Sequence, residues 1–281
     1  MSDMPSARLK HFASLWTLMH YPNGSEYGEW SLDRKLEAIK AAGFDGFQWF
    51  AQSEFADSNE RYGLAFLGGC DADSSNCRER LEEFAPLRPE RVNIQLGDHA
   101  MEPKEAAELW IRMDEMAEDL GLVLDLETHR GTCTETPEKT WRIAEIYEQK
   151  KSKPIRLTFD FSHFATVKHL LPPYADRLLD RPDLLRACRQ IHLRPFNGHH
   201  CEIPATGHAG AGEWARHWFD FVEAALGCWL QDGSNCGETL WACPEFGAMT
   251  SGYWLPSFPD PWEDAIFVKQ ETNRRWKSLA S

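Results

Sequence analysis

Eight short apolar or aromatic runs, each followed by a longer segment of helical period, set the frame for this chain. They are FASLWTLM (12–19), FDGFQWF (44–50), LAFLGG (64–69), RVNIQLG (91–97), LVLDLE (122–127), IRLTFD (155–160), QIHLR (190–194) and TLWACPE (239–245). Strands that alternate with helices pair in parallel through crossover connections. An open doubly wound sheet normally uses fewer strands and leaves edges, and no GxGxxG dinucleotide fingerprint follows the first run. The expected fold class is therefore α/β, a single (β/α)8 TIM barrel over 1–281.

The segments between the runs carry helix punctuation. SLDRKLEAIKAAG (31–43) offers Ser31 as N-cap, Leu32, Leu36 and Ile39 on one face, and Gly43 as a stop. EPKEAAELWIRMDEMAEDLG (102–121) begins with Pro103 and ends at Gly121, with Leu109, Met113, Met116 and Leu120 at helical spacing. TPEKTWRIAEIYEQK (136–150) places Thr136 at the N-cap and Pro137 at N1. GEWARHWFDFVEAALG (212–227) lines up Trp214, Trp218, Phe221, Val222 and Leu226.

Composition narrows the partners. With 44 acidic against 30 basic residues, the net charge of −14 repels phosphate backbones and anionic lipid, so neither nucleic acid nor membrane is expected. Eight scattered cysteines form no CxxC pair, and MSDMPSARLKHF shows no apolar leader, so a cytoplasmic location is expected. Twelve tryptophans suit either core packing or a sugar platform.

In a barrel of this kind the chemistry sits at the C-terminal ends of the strands. The last four runs end in Glu127 (LDLETHRGT), Asp160 (LTFDFSHF), His192 (QIHLRP) and Glu245 (ACPEFG). A carboxylate at a strand end is commonly a helix N-cap or a surface ion pair, and a strand histidine is commonly a satisfied core residue. Four such groups at one level of one barrel converge on the axis instead, because Ile191 and Leu193 facing the helices turn His192 inward. Three carboxylates and one imidazole suit a hard or borderline divalent ion, Mn²⁺ first, with Mg²⁺, Co²⁺ or Zn²⁺ as alternatives. Without a cation their mutual burial costs several kcal/mol.

ETHRGT, DFSH, HLR and PEFG, each after a strand, resemble the xylose isomerase-like barrel superfamily, which holds sugar isomerases and epimerases and the type IV apurinic endonucleases. The resemblance to its metal-dependent ketose 3-epimerases implies that Glu127, Asp160, His192 and Glu245 hold one divalent ion. It implies that Glu127 and Glu245 exchange the substrate proton through a metal-stabilised enediolate. His163, in the Asp-x-x-His pattern, and Arg194 are implied substrate contacts, and His129 is a further polar group at the expected mouth. The implied substrate is a keto sugar or a derivative of one, and a homo-oligomer is an open expectation. The same site would serve a dehydratase or lyase on a keto-sugar, keto-glycoside or inosose-like substrate. A non-catalytic sugar-binding protein of this fold is the third reading.

Departures from the pattern reshape the pocket. PATGHAGAGEW (204–214) has Gly210 and Gly212 without the Pro-Gly turn, and the second run ends in Gln48-Trp49 where many relatives have Glu. A trinuclear endonuclease site lacks its histidines, since FLGGCDAD has none and only His99 is at hand. A metal-free isomerase would leave Asp160 and His192 without a role. His199 and His200 read as a solvated loop, and SGYWLPSFPDPW (251–262) as a packed loop that alternatively covers the pocket or serves a contact.

Overall fold

The computed structural model describes residues 6–22, 28–207, 211–233 and 235–280, so Gly210 of the glycine-rich loop lies outside the described residues. Strands β1 (Arg8–Ser14), β2 (Gly46–Trp49), β3 (Ala65–Ala72), β4 (Val92–Leu96), β5 (Leu124–Glu127), β6 (Leu157–Asp160), β7 (Gln190–His192) and β8 (Thr239–Cys243) each pair in parallel with the next. β8 returns to β1 through Leu9↔Leu240 and Lys10↔Trp241, which closes the barrel. The helices are α1 (Leu32–Ala41), α2 (Ser58–Tyr62), α3 (Cys77–Phe84), α4 (Pro103–Leu120), α5 (Pro137–Lys151), α6 (Phe161–Val167), α7 (Ala175–Leu178), α8 (Pro182–Ala187), α9 (Ala211–Leu230) and α10 (Pro261–Leu279). No helix among the described residues is long and apolar enough to cross a membrane.

The helix punctuation acts as the chain reads. The Ser31 hydroxyl accepts from the Arg34 amide at 3.3 Å, Thr136 accepts from Lys139 at 3.3 Å, and Gly121 closes α4 at φ +69°. The first strand differs from the expected 12–19. It runs from Arg8 to Ser14, and the apolar Leu15–Met19 stretch folds into successive turns, Thr17 N–H to Ser14 and Leu18 N–H to Leu15. Its polar opening, Arg8 and Lys10, hides the strand from a hydrophobicity pattern, yet Lys10 packs over the Trp241 ring at 4.9 Å. Within the 251–262 loop, Pro261 begins α10, capped by the Asp260 carboxylate on the Trp262 amide at 2.8 Å.

The main apolar core lies between the sheet and the helices, where Leu36, Ile39, Trp110, Met113, Ile143, Trp218 and Val222 pack on outward strand residues such as Phe47, Ile94 and Leu126. Inside the barrel a small cluster of Phe12, Leu67, Trp241 and Cys243 fills the middle. Because side chains alternate along a strand, the inward set steps by two: Asp125 then Glu127, Thr158 then Asp160, Gln190 then His192, Cys243 then Glu245. The lower member of one such pair, the wholly buried Asp125, is held by Arg91 Nη2 at 2.6 Å and Gln190 Nε2 at 2.8 Å. The upper members form the site.

Breaking a buried ion pair by removing one partner leaves the other charge uncompensated. Asp125→Ala is therefore expected to lower unfolding free energy by about 3–5 kcal/mol, read by urea denaturation. An unchanged midpoint would contradict this account of the barrel floor.

Candidate metal and active site

Asp160, the last residue of β6, serves two functions with its two oxygens. Oδ1 caps α6, accepting from the Ser162 amide at 2.9 Å and its hydroxyl at 2.5 Å. Oδ2 accepts no hydrogen bond and turns to the barrel axis, 3.2 Å from Arg194 Nη2 and 3.3 Å from His163 Nε2. The helix-cap reading of this residue holds through Oδ1, and Oδ2 remains available beside Arg194 and His163. One strand over, Asn93 of β4 donates to Glu127 Oε2 at 2.6 Å and orients that carboxylate.

His192 stands between two carboxylates. Its Nδ1 lies 3.5 Å from Glu127 Oε1 and 3.3 Å from Glu245 Oε2, yet neither ring nitrogen makes a hydrogen bond. Separations near 3 Å with no hydrogen-bond alignment are what two ligands of one ion show when each binds at about 2.0–2.2 Å. Ligand atoms of Glu127, Asp160 and His192 all fall within 4.8 Å of one another. Glu245 joins through His192 and through a close ion pair with Arg194 Nη2. The four strand-end residues are therefore together and buried.

Arg194, expected as a substrate contact, lines the cavity while its charge is directed at Asp160 and Glu245. Its guanidinium sits 5.4 Å from the Trp16 ring centre and 5.0 Å from that of Tyr253, and Nη1 lies 3.5 Å from Cys201 Sγ. His129 lines the cavity, whereas His163 is wholly buried behind it, the two rings 3.9 Å apart. His199 and His200 are exposed, and His169 Nε2 meets His199 Nδ1 at 2.8 Å. His99 is exposed too, away from the cluster.

Electrostatics follow the layout. Burial raises the Asp160 carboxyl, but the charge of Arg194 and the His163 ring outweigh it and hold it well below the usual range. Glu245 is likewise held at about 2 against burial by His192 and Arg194. Burial lowers His163, but Asp160 overrides it to about 9, while His129, desolvated beside His163, falls to about 4. Cys201 is brought down to about 7 against burial by His163 and Arg194.

Several members of the site escape sequence reasoning. Asn93 had a local signal, an inward polar residue in an apolar strand, and Tyr253 falls in the 251–262 segment read alternatively as covering the pocket. Trp16 and Tyr253, edge to face at 5.0 Å, wall the cavity from the turn after β1 and the loop after β8, and Arg130 Nη2 donates to the Tyr253 hydroxyl at 2.7 Å. Cys201 and Glu202 come from the loop after β7, and Glu202 accepts from the Gly247 amide at 2.7 Å.

Neither a family model nor a curated protein matches this sequence. Solved structures do match its fold. A D-tagatose 3-epimerase-like protein is 16% identical over 96% of this chain and 99% of its own, with a TM-score of 0.61. The 3-keto-D-glucoside 4-epimerase of E. coli is 14% identical over 95% and 100%, at 0.58. A probable 3-DHS dehydratase from Bacillus anthracis is 12% identical over 96% and 98%, at 0.58. The fold is the xylose isomerase-like barrel that the sequence resemblance implies.

Glu202 supplies a pH test of the site's wall. Burial holds its carboxyl up at about 7 against an ordinary 4.5, so the folded state binds the proton more tightly. That contribution is complete below the unfolded value and is lost as pH rises through 7. Glu202→Gln keeps the acceptor for Gly247 and is expected to stabilise the protein by about 3 kcal/mol at pH 8 and by little at pH 4. Equal melting shifts at both pH values would contradict the burial argument.

Proposed function

We propose that this chain is a divalent-metal-dependent isomerase or epimerase acting on a keto sugar or sugar derivative. The observation that carries the reading is His192 Nδ1 set 3.5 Å from Glu127 and 3.3 Å from Glu245 without a hydrogen bond to either, with Asp160 Oδ2, likewise not hydrogen-bonded, beside them. Arg194 pairs with Asp160 and Glu245 and His163 with Asp160, which leaves three buried carboxylates against two cations, so the donor set fits a hard divalent ion, Mn²⁺ foremost. When bound, the ion supplies Lewis acidity that makes the C–H beside a carbonyl easier to ionise.

The protein's own groups do the rest. Glu127 and Glu245 reach the cavity from β5 and from beyond β8, on either side of His192. One takes the proton from carbon and the other returns it, and the carbon that receives it decides between epimer and isomer. Asn93 fixes the Glu127 carboxylate, and Arg194 fixes that of Glu245. His129, uncharged at neutral pH, offers a ring nitrogen to a substrate hydroxyl. Eight unpaired cysteines fit a reducing compartment such as the cytoplasm.

A second reading draws on the probable dehydratase of like fold: a leaving group β to the carbonyl would make the same proton abstraction an elimination. Both readings begin with C–H ionisation. With Mn²⁺ present, ketoses, keto-glycosides and sugar acids screened in D₂O are expected to yield a substrate that takes up deuterium beside its carbonyl by NMR. Glu127→Gln and Glu245→Gln should each slow that exchange about 10²–10⁴-fold. Full exchange rates in both variants would remove the carboxylates from the chemistry.

A further inference from the structure

The cavity above the cluster, about 420 Å³, has two properties that the cluster does not require. The first is its charge. Glu127 and Glu245 line its floor and Asp71 its side, and Arg194 is the one Lys or Arg lining it among the described residues. That arginine is committed, with Nη2 on Glu245 and Asp160, Nη1 toward Cys201, and its guanidinium against the Trp16 and Tyr253 rings. Arg130, nearby, is bonded to the Tyr253 hydroxyl and stacked over that ring at 5.2 Å. Segments 23–27 and 208–210 contain neither Lys nor Arg. Apart from the ion proposed for the cluster, a phosphate dianion entering here meets carboxylates and, among the described residues, no uncommitted Lys or Arg.

The second property is aromatic. Trp49 and Phe50, at the end of β2, meet edge to face at 5.1 Å and line the side of the cavity, and Phe50 is 51% exposed. Trp16, Met19 and Tyr253 line it as well. A keto sugar bound through its oxygens at Glu127, His192 and Glu245 would leave these rings bare. A flat apolar group attached to that sugar would cover them.

We propose that the pocket selects an uncharged keto sugar linked to an apolar ring, a glycoside with an aryl-like aglycone, and discriminates against sugar phosphates. This rests on the keto-sugar reading above, because the sugar ring must sit over the cluster for its aglycone to reach Trp49 and Phe50. Gln48, which lines the same side, spends its amide on the Gly68 carbonyl at 3.5 Å and adds no charge there.

The test is equilibrium binding by intrinsic tryptophan fluorescence on protein supplied with Mn²⁺. The probes are methyl and phenyl β-D-glucoside, their 3-keto derivatives, fructose and fructose 6-phosphate. The phenyl compounds are expected to bind about five-fold or more tightly than their methyl partners, and fructose 6-phosphate no more tightly than fructose. Phe50→Ala, a change at a half-exposed side chain, should erase the phenyl preference without altering metal content, and Trp49→Ala should weaken it. Equal binding of phenyl and methyl forms, tighter binding of the phosphate, or no binding by any probe overturns the proposal. Metal content measured on the same samples keeps the two readings apart. A metal-free protein that prefers phenyl glycosides retains the pocket assignment and loses the catalytic one.

Discussion

Three buried carboxylates at one end of a barrel repel one another, and much of the surrounding structure answers that repulsion. At low dielectric, like charges a few ångströms apart cost several kcal/mol unless they are protonated or compensated. Here the compensation is built from neighbours: Arg194 bridges Asp160 and Glu245, His192 stands between Glu127 and Glu245, and His163 backs Asp160. Neutral donors take up further lone pairs, Asn93 on Glu127 and Ser162 on Asp160. One guanidinium does not balance three carboxylates, and the two imidazoles match the deficit only if both carry a proton. With His163 protonated beside Asp160 one negative charge remains, and the proposed divalent ion would more than meet it with His192 neutral, the form in which it is a ligand.

The barrel makes this concentration of charge affordable because it is closed. Glu127, Asp160 and His192 are strand-end residues on backbone whose hydrogen bonds are already satisfied by neighbouring strands, and Glu245 follows two residues beyond β8. Beneath the site, the apolar Phe12, Leu67, Trp241 and Cys243 share the interior with the polar Arg91, Asp125 and Gln190, Gln190 standing in register with Trp241 on the neighbouring strand.

The part of this architecture set by periodicity is legible in the sequence. Seven of the eight strands appear where alternating runs predict them to within a few residues, and the strand-end rule leads directly to Glu127, Asp160, His192 and Glu245. The first strand is displaced because it opens on the polar Arg8 and Lys10, and the packing of Lys10 over Trp241 of distant β8 is a contact no local pattern records. Trp16, Cys201 and Glu202 are illegible for a related reason. They reach the site from loops, whose course is set by closure of the barrel and by contacts between distant segments such as Thr17 Oγ1 with the Phe246 carbonyl at 2.7 Å. Asp160 shows the converse, since its cap and its site-facing oxygen belong to one residue and a sequence signal for either points to the same position.

Elemental analysis tests the central claim, that Glu127, Asp160, His192 and Glu245 hold one divalent ion, without knowledge of the substrate. The purified protein, incubated with Mn²⁺ and desalted, is compared with its His192→Ala and Glu245→Gln variants. About one divalent ion per chain in the parent protein, lost from both variants with the fold retained by circular dichroism, is the predicted result. A parent protein that retains no metal, or variants that retain as much as the parent, would contradict it.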